Sequence, residues 1–211
     1  LIKQFRADWR DAKLPFLFVQ LPRYGPPGTR YNWCVVREAQ EKVWRETPDT
    51  GMVVAIDTGE QDYVHPSEKR VVSKRLADLA EGMVYGRDAL WRYPYYQACH
   101  AQGDALVIQV EGESLRCVSR AKGLEICGAD GVFYPAQAKV TPRAIYARAE
   151  QVPCPIAARY AWDNYPEADI VSEDGLPLGP FRTDTLPAET VRACPVERPR
   201  PMLDHVTDTL D

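Results

Sequence analysis

The six cysteines of this chain, Cys34, Cys99, Cys117, Cys127, Cys154 and Cys194, are scattered, and none forms a Cys-x-x-Cys pair. That removes the usual ligand spacing of a structural zinc site and leaves buried thiols or disulfides as the open readings. Histidine is scarcer, with three residues, of which His100 and His205 are isolated. Net charge is −4 with no long basic stretch, so a nucleic-acid partner has no electrostatic footprint. The longest apolar runs reach about half a membrane span, which reads as a soluble chain with no membrane partner. No signal-peptide pattern opens the sequence, and the first residue is Leu rather than Met. Serine is also poorly placed. Ser67, Ser73, Ser114, Ser119 and Ser172 are available, and none sits on a strand-to-helix turn of the nucleophile-elbow kind.

What is present is an alternation of helix and strand. The 211 residues are 45% hydrophobic, enough for one or two domains with real cores. Leu1, Ile2, Phe5 and Trp9 recur at helical spacing, and Phe16-Leu17-Phe18-Val19-Gln20-Leu21 reads as a buried strand. After the Gly25-Pro26-Pro27-Gly28 break, Asn32 is placed to cap a helix that carries Val36, Ala39, Val43 and Trp44 inward. Met52-Val53-Val54-Ala55-Ile56 is the next buried strand, and 57–65 is the loop at its carboxyl end. A helix follows with Pro66 in its first turn, Val72, Leu76, Leu79, Ala80 and Met83 on one face, and an end near Tyr85-Gly86.

The chemistry concentrates in Asp62-Tyr63-Val64-His65-Pro66. Imidazole alone has an unperturbed pKa near neutrality and can pass a proton to and from a serine hydroxyl. A carboxylate three positions earlier can curl back to fix its tautomer and orientation. In open α/β sheets, ligands bind beyond the carboxyl ends of the strands, and the pair falls at that edge. A loop histidine paired for stability is the structural alternative. Asp57 and Glu60 compete with Asp62 as orienting carboxylate.

The run 1–86 resembles the back half of an SGNH (GDSL-like) hydrolase domain, and more narrowly the sialate O-acetylesterase family. Leu1-Ile2-Lys3 with Asp8-Trp9-Arg10, the 14–21 strand, Arg37-Glu38-Ala39-Gln40 and Asp57-Thr58-Gly59 carry it into Asp62-Tyr63-Val64-His65-Pro66. Lys69, Arg75-Leu76-Ala77 and Tyr85-Gly86 continue it. The resemblance implies His65 as general base and Asp62 as its orienting carboxylate in a Ser-His-Asp triad that needs no metal or cofactor. It also implies a nucleophilic serine and an oxyanion-hole block upstream of Leu1, so that the missing N-terminal segment, in the same polypeptide or as a second chain, is a required partner. A secreted, periplasmic or lysosomal location is implied on the same ground.

Beyond Gly86 a second domain is expected. Trp91-Arg92-Tyr93-Pro94-Tyr95-Tyr96 reads as a packing strip between domains, with a sugar-stacking surface as the alternative. Short β-like runs at 105–110, 124–126, 132–134, 139–141, 144–147 and 156–160 have the spacing of a small β-sandwich. Gly112-Glu113-Ser114 reads as a turn between such runs. The family resemblance extends through Gly123-Leu124-Glu125-Ile126-Cys127, Ile156-Ala157-Ala158-Arg159-Tyr160-Ala161-Trp162 and Pro180-Phe181-Arg182-Thr183-Asp184. The expected organisation is an esterase part over 1–86, a β-sandwich-like domain over 87–186 and a flexible tail over 187–211. The expected fold is α/β, the back half of a parallel-sheet hydrolase, followed by a small all-β domain. Two functions follow. One is a C-terminal piece of a serine esterase that removes O-acetyl groups from sialic acids or similar sugars, inactive alone. The other is a non-catalytic carbohydrate-binding or interaction protein that keeps a relic hydrolase half.

Overall fold

A computed structural model describes residues 1–26 and 32–186. The first part alternates as the sequence pattern requires: α1 (Ile2–Asp8), β1 (Phe16–Val19), α2 (Trp33–Glu46), β2 (Thr50–Val53) and α3 (Arg70–Met83). β1 and β2 pair in parallel, from Phe16 opposite Thr50 to Val19 opposite Val53. β2 is buried throughout, and burial continues through Val54, Ala55 and Ile56 after the strand itself has ended. α1 is held by its arginine rather than by its apolar row. Arg6 donates to the carbonyls of Leu14, Pro48 and Asp49, while Leu1 and Trp9 remain exposed. α3 ends where expected: Val84 and Tyr85 both donate to the Ala80 carbonyl, and Gly86 takes φ +63°, a left-handed turn suited to glycine.

Two expectations are corrected. On α2 the buried residues are Cys34 and Arg37, whereas Val36 and Val43 are 47% and 42% exposed and Ala39 is exposed as well. The cost of burying a cation argues for turning Arg37 outward. Here its Nη2 donates to the Asp163 and Asn164 carbonyls at 2.6 and 3.0 Å, which draws that side of the helix inward. Pro66, for its part, stands ahead of α3 rather than in its first turn. The Ser67 N–H is taken by the Glu60 carboxylate and the Arg70 N–H by Glu68, so the helix begins only at Arg70.

The rest is antiparallel β-structure. β3 (Tyr95–Gln102), β4 (Ala105–Glu111), β5 (Leu115–Cys117), β6 (Leu124–Cys127), β7 (Phe133–Pro135) and β8 (Gln137–Val140) come first. They are followed by β9 (Ala144–Arg148), β10 (Ala157–Tyr160), β11 (Ile170–Ser172) and β12 (Phe181–Arg182). Two four-stranded sheets form, β3-β4-β9-β8 and β12-β10-β6-β7, and β5 pairs with β11. Gly112-Glu113-Ser114 is the turn between β4 and β5. Strands β3, β5, β11 and β12 add to the expected set. Buried residues of both sheets join Met52, Ile56 and Leu79 in one hydrophobic core.

The aromatic strip 91–96 packs at the joint between the helices and the antiparallel sheets. Tyr95 stacks on Trp44 of α2 with ring centroids 4.4 Å apart, and Tyr96 stacks on Phe181 at 4.9 Å. Trp91 lies so close to α3 that a Cβ on Gly82 would fall 1.9 Å from its ring. Arg182 then ties β12 to Glu38 of α2 at 2.8 Å. The fold is mixed α/β with mostly antiparallel sheets, and among the described residues the parallel pairing is β1 with β2. Among the described residues no helix is long and apolar enough to cross a membrane. The expected tail, 187–211, lies outside the described residues, as does Cys194.

Candidate active site

Two loops leave the carboxyl ends of β1 and β2 and are stitched together. Arg23 N–H donates to Thr58 O, and Gly25 N–H to Gln61 O. Gly59 permits this approach: its φ is +105°, and a Cβ there would sit 2.1 Å from the Arg23 carbonyl oxygen. A turn from the β part closes the third side. The Asn164 carbonyl accepts from Tyr24 N–H, its side chain accepts from Trp33 N–H, and the Arg23 guanidinium lies 4.6 Å over the Tyr165 ring. Asp62 and His65 stand in the loop beyond this stitching.

Both residues are exposed, and no hydrogen bond or ion pair joins them. The His65 ring meets Tyr63 edge-on, with centroids 6.3 Å apart. The competing carboxylates are occupied elsewhere. Asp57 receives both prongs of Arg75, at 2.7 and 2.6 Å. Glu60 accepts from the Ser67 N–H at 2.7 Å and from its hydroxyl at 2.6 Å, which holds the Glu60 carboxyl below its ordinary value. Asp62 is thus the loop carboxylate left uncommitted. Ser67, near His65 in sequence, spends its hydroxyl on Glu60.

Arg75 enters the sequence reading only inside the Arg75-Leu76-Ala77 segment, without a role, and lies on the apolar row of α3 between Val72 and Leu79, an odd place for a cation. Its Nη1 also donates to Val54 O at 3.2 Å, so it braces the end of β2 and the start of the site loop together. Arg37 is the other such residue. It is fully buried, and burial pulls its pKa down to about 10, opposed by nearby Cys34 and Asp163. Gln20, just past the end of β1, is fully buried and donates to the Arg37 carbonyl at 3.2 Å. Among the described residues its Oε1 and the Arg37 Nε and Nη1 have no hydrogen-bond partner. Among the described residues no group of His, Cys, Asp or Glu is placed to hold a metal ion. Cys34, Cys99, Cys117, Cys127 and Cys154 are free thiols.

The chain is similar to proteins of known structure. One of them is a carbohydrate acetylesterase. The enzyme is described as a novel carbohydrate acetylesterase from Xanthomonas citri, and the chain aligns with it at 36% identity and a TM-score of 0.81. The alignment takes in 88% of this chain and 44% of the acetylesterase, so the chain spans less than half of that enzyme's length. No family model and no curated protein matches the chain.

Proposed function

We propose that this chain is the histidine-bearing part of a serine carbohydrate esterase that removes O-acetyl groups from sialic acids or similar acetylated sugars. The observation that carries the reading is the match of 88% of the chain, at 36% identity, to a carbohydrate acetylesterase. The Asp62-x-x-His65 pair at the carboxyl end of β2 agrees with it. In this reading β1 and β2 belong to a larger SGNH-type parallel sheet, 1–86 is the closing part of the catalytic domain, and 87–186 is an appended β domain.

The nucleophile is a serine outside these 211 residues. Its Oγ attacks the acetyl carbonyl carbon while His65 takes its proton. The tetrahedral adduct then breaks the bond to the sugar oxygen, and His65 returns the proton to that oxygen. Water, deprotonated by His65, attacks the acetyl-enzyme and releases acetate and the free serine. Asp62 holds the ring and balances the imidazolium. Arg75 acts through Asp57 to fix the loop, so that the pair closes when the serine-bearing segment covers it. Catalytic hydrogen bonds commonly tighten only in the assembled complex.

One observation favours the second reading, a non-catalytic protein: Asp62 and His65 lie in an exposed loop without a bond between them. The deciding experiment is acetate release from O-acetylated sialic acid and from acetylated xylan, using the chain joined to the segment that supplies the serine. Release from either establishes the esterase, and the ratio names the sugar. No release from either favours the binding protein.

A further inference from the structure

The outer face of the β3-β4-β9 sheet carries no part of the candidate active site, yet it is built like a binding surface. Its register aligns His100, Val107 and Tyr146 in one row across the strands, and Ala98, Gln109 and Ala144 in the next. The alternate row, Cys99, Ile108 and Ile145, faces the core, where Ile108 and Ile145 are fully buried. The β3–β4 register slips between Tyr96 and Ala98. Such a bulge re-aims a side chain, and here Gln97 joins the edge of the outer face.

A shallow groove of about 620 Å³ runs over this face. That lies within the size range of small-molecule sites, roughly 300–1,000 Å³. Gln97, His100, Gln102, Gln109 and Tyr146 line it, and none of the five makes a side-chain hydrogen bond among the described residues. The two ordinarily charged side chains of the lining are already engaged. Glu111 is paired with Arg45 at 2.7 Å, and the Arg143 guanidinium donates to the Gly112 carbonyl.

What stays free is amide, phenol and imidazole. Amides both donate and accept, as a sugar hydroxyl does, and a phenol ring offers an apolar face with a polar tip. Glu111 is neutralised by Arg45, which leaves a cation no free counter-charge, whereas Arg143 keeps its positive charge at one end of the groove, so an anionic glycan is the competitor that the test must exclude. Strands are a firmer mount for such groups than loops. We propose that this groove binds a neutral, hydroxyl-rich oligosaccharide, with Tyr146 as the surface for a sugar ring and Gln109, Gln102 and Gln97 as partners for its hydroxyls. The inference goes beyond the esterase reading and does not rest on it, because its ligand needs no acetyl group and its residues are not those of the 57–65 loop.

The test is affinity electrophoresis of the 211-residue chain through gels containing unacetylated xylan, glucomannan or mixed-linkage β-glucan, with pectate as the polyanionic control. At least one neutral glycan retards the chain and pectate does not. Tyr146→Ala and Gln109→Ala each weaken binding at least tenfold while keeping the parent melting curve. His65→Ala, in the other site, binds as the parent does. No retardation by any neutral glycan, retardation that survives both groove variants, or pectate retardation as large as that of the neutral glycans would overturn the proposal. A dead esterase that still binds would leave it standing, so the two readings fail separately.

Discussion

Arg75 grips Asp57 with both of its outer nitrogens, at 2.7 and 2.6 Å, and thereby decides which acid of the site loop is available. Asp57 is nearest the strand and would otherwise be a candidate partner for His65. The fork spends it on structure. With Glu60 spent on Ser67, Asp62 is left facing solvent and uncommitted.

Asp57→Asn and Asp62→Asn therefore differ in kind. The Arg75 side chain is only 10% exposed, so removing its counter-charge leaves a nearly buried cation unpaired. Asp57 is 32% exposed, so the loss is discounted for solvent to about 1–3 kcal/mol. Asp62→Asn leaves stability within about 0.5 kcal/mol, the usual range for surface changes. Urea denaturation of the two variants checks this, and equal destabilisation would contradict the division of roles.

Gly82→Ala inverts an ordinary expectation. Inside an exposed helix that change stabilises by about 1 kcal/mol. In α3 the new methyl would lie 1.9 Å from Trp91 Cδ1 and 2.1 Å from its Nε1. The ring must leave its place in the joint, and the expected result is a loss of about 1–3 kcal/mol, in the range of an overpacked core. A thermal melt of the variant reads the sign directly.

Much of this fold was legible because local pattern and global packing agree. The apolar run of β1 marks a strand, though one half-buried rather than buried, and the row on α3 and the turn at Gly86 each describe the element they produce. β3 was harder to read: its bulge breaks strict alternation and its outward residues are polar. β5, β11 and β12 are two or three residues long, and only pairing with distant segments makes them strands. The α2 face was misread because a buried Arg37 depends on carbonyls at 163 and 164, more than a hundred residues away. The same holds at the site. The Asp62–His65 spacing is local and visible, whereas the Arg75–Asp57 fork joins a loop to the following helix and becomes plain only in three dimensions.

Acid should loosen the end of the β part. Asp184 and Arg159 form an ion pair whose side chains are 5% and 7% exposed. Burial alone would raise the Asp184 carboxyl. The hydrogen bonds and charge of Arg159, with the Leu186 N–H and Arg182, outweigh it and hold the group below its ordinary 3.8. A carboxyl depressed in the folded state contributes stability that is fully present above its unfolded value. That stability is lost as pH falls from about 3.8 through the folded value. Urea midpoints should drop more steeply below about pH 4 for the parent than for Asp184→Asn. Parallel pH profiles would contradict this.

The central claim is that His65 is the base of an esterase, and p-nitrophenyl acetate hydrolysis across pH tests it most directly. It is measured on the chain alone and on the chain joined to its serine-bearing segment, each beside His65→Ala. Activity is expected in the joined protein only. His65→Ala should lower kcat by about a thousandfold or more, as loss of a triad member does. A folded, joined protein whose hydrolysis is absent, or is unchanged by His65→Ala, would contradict it.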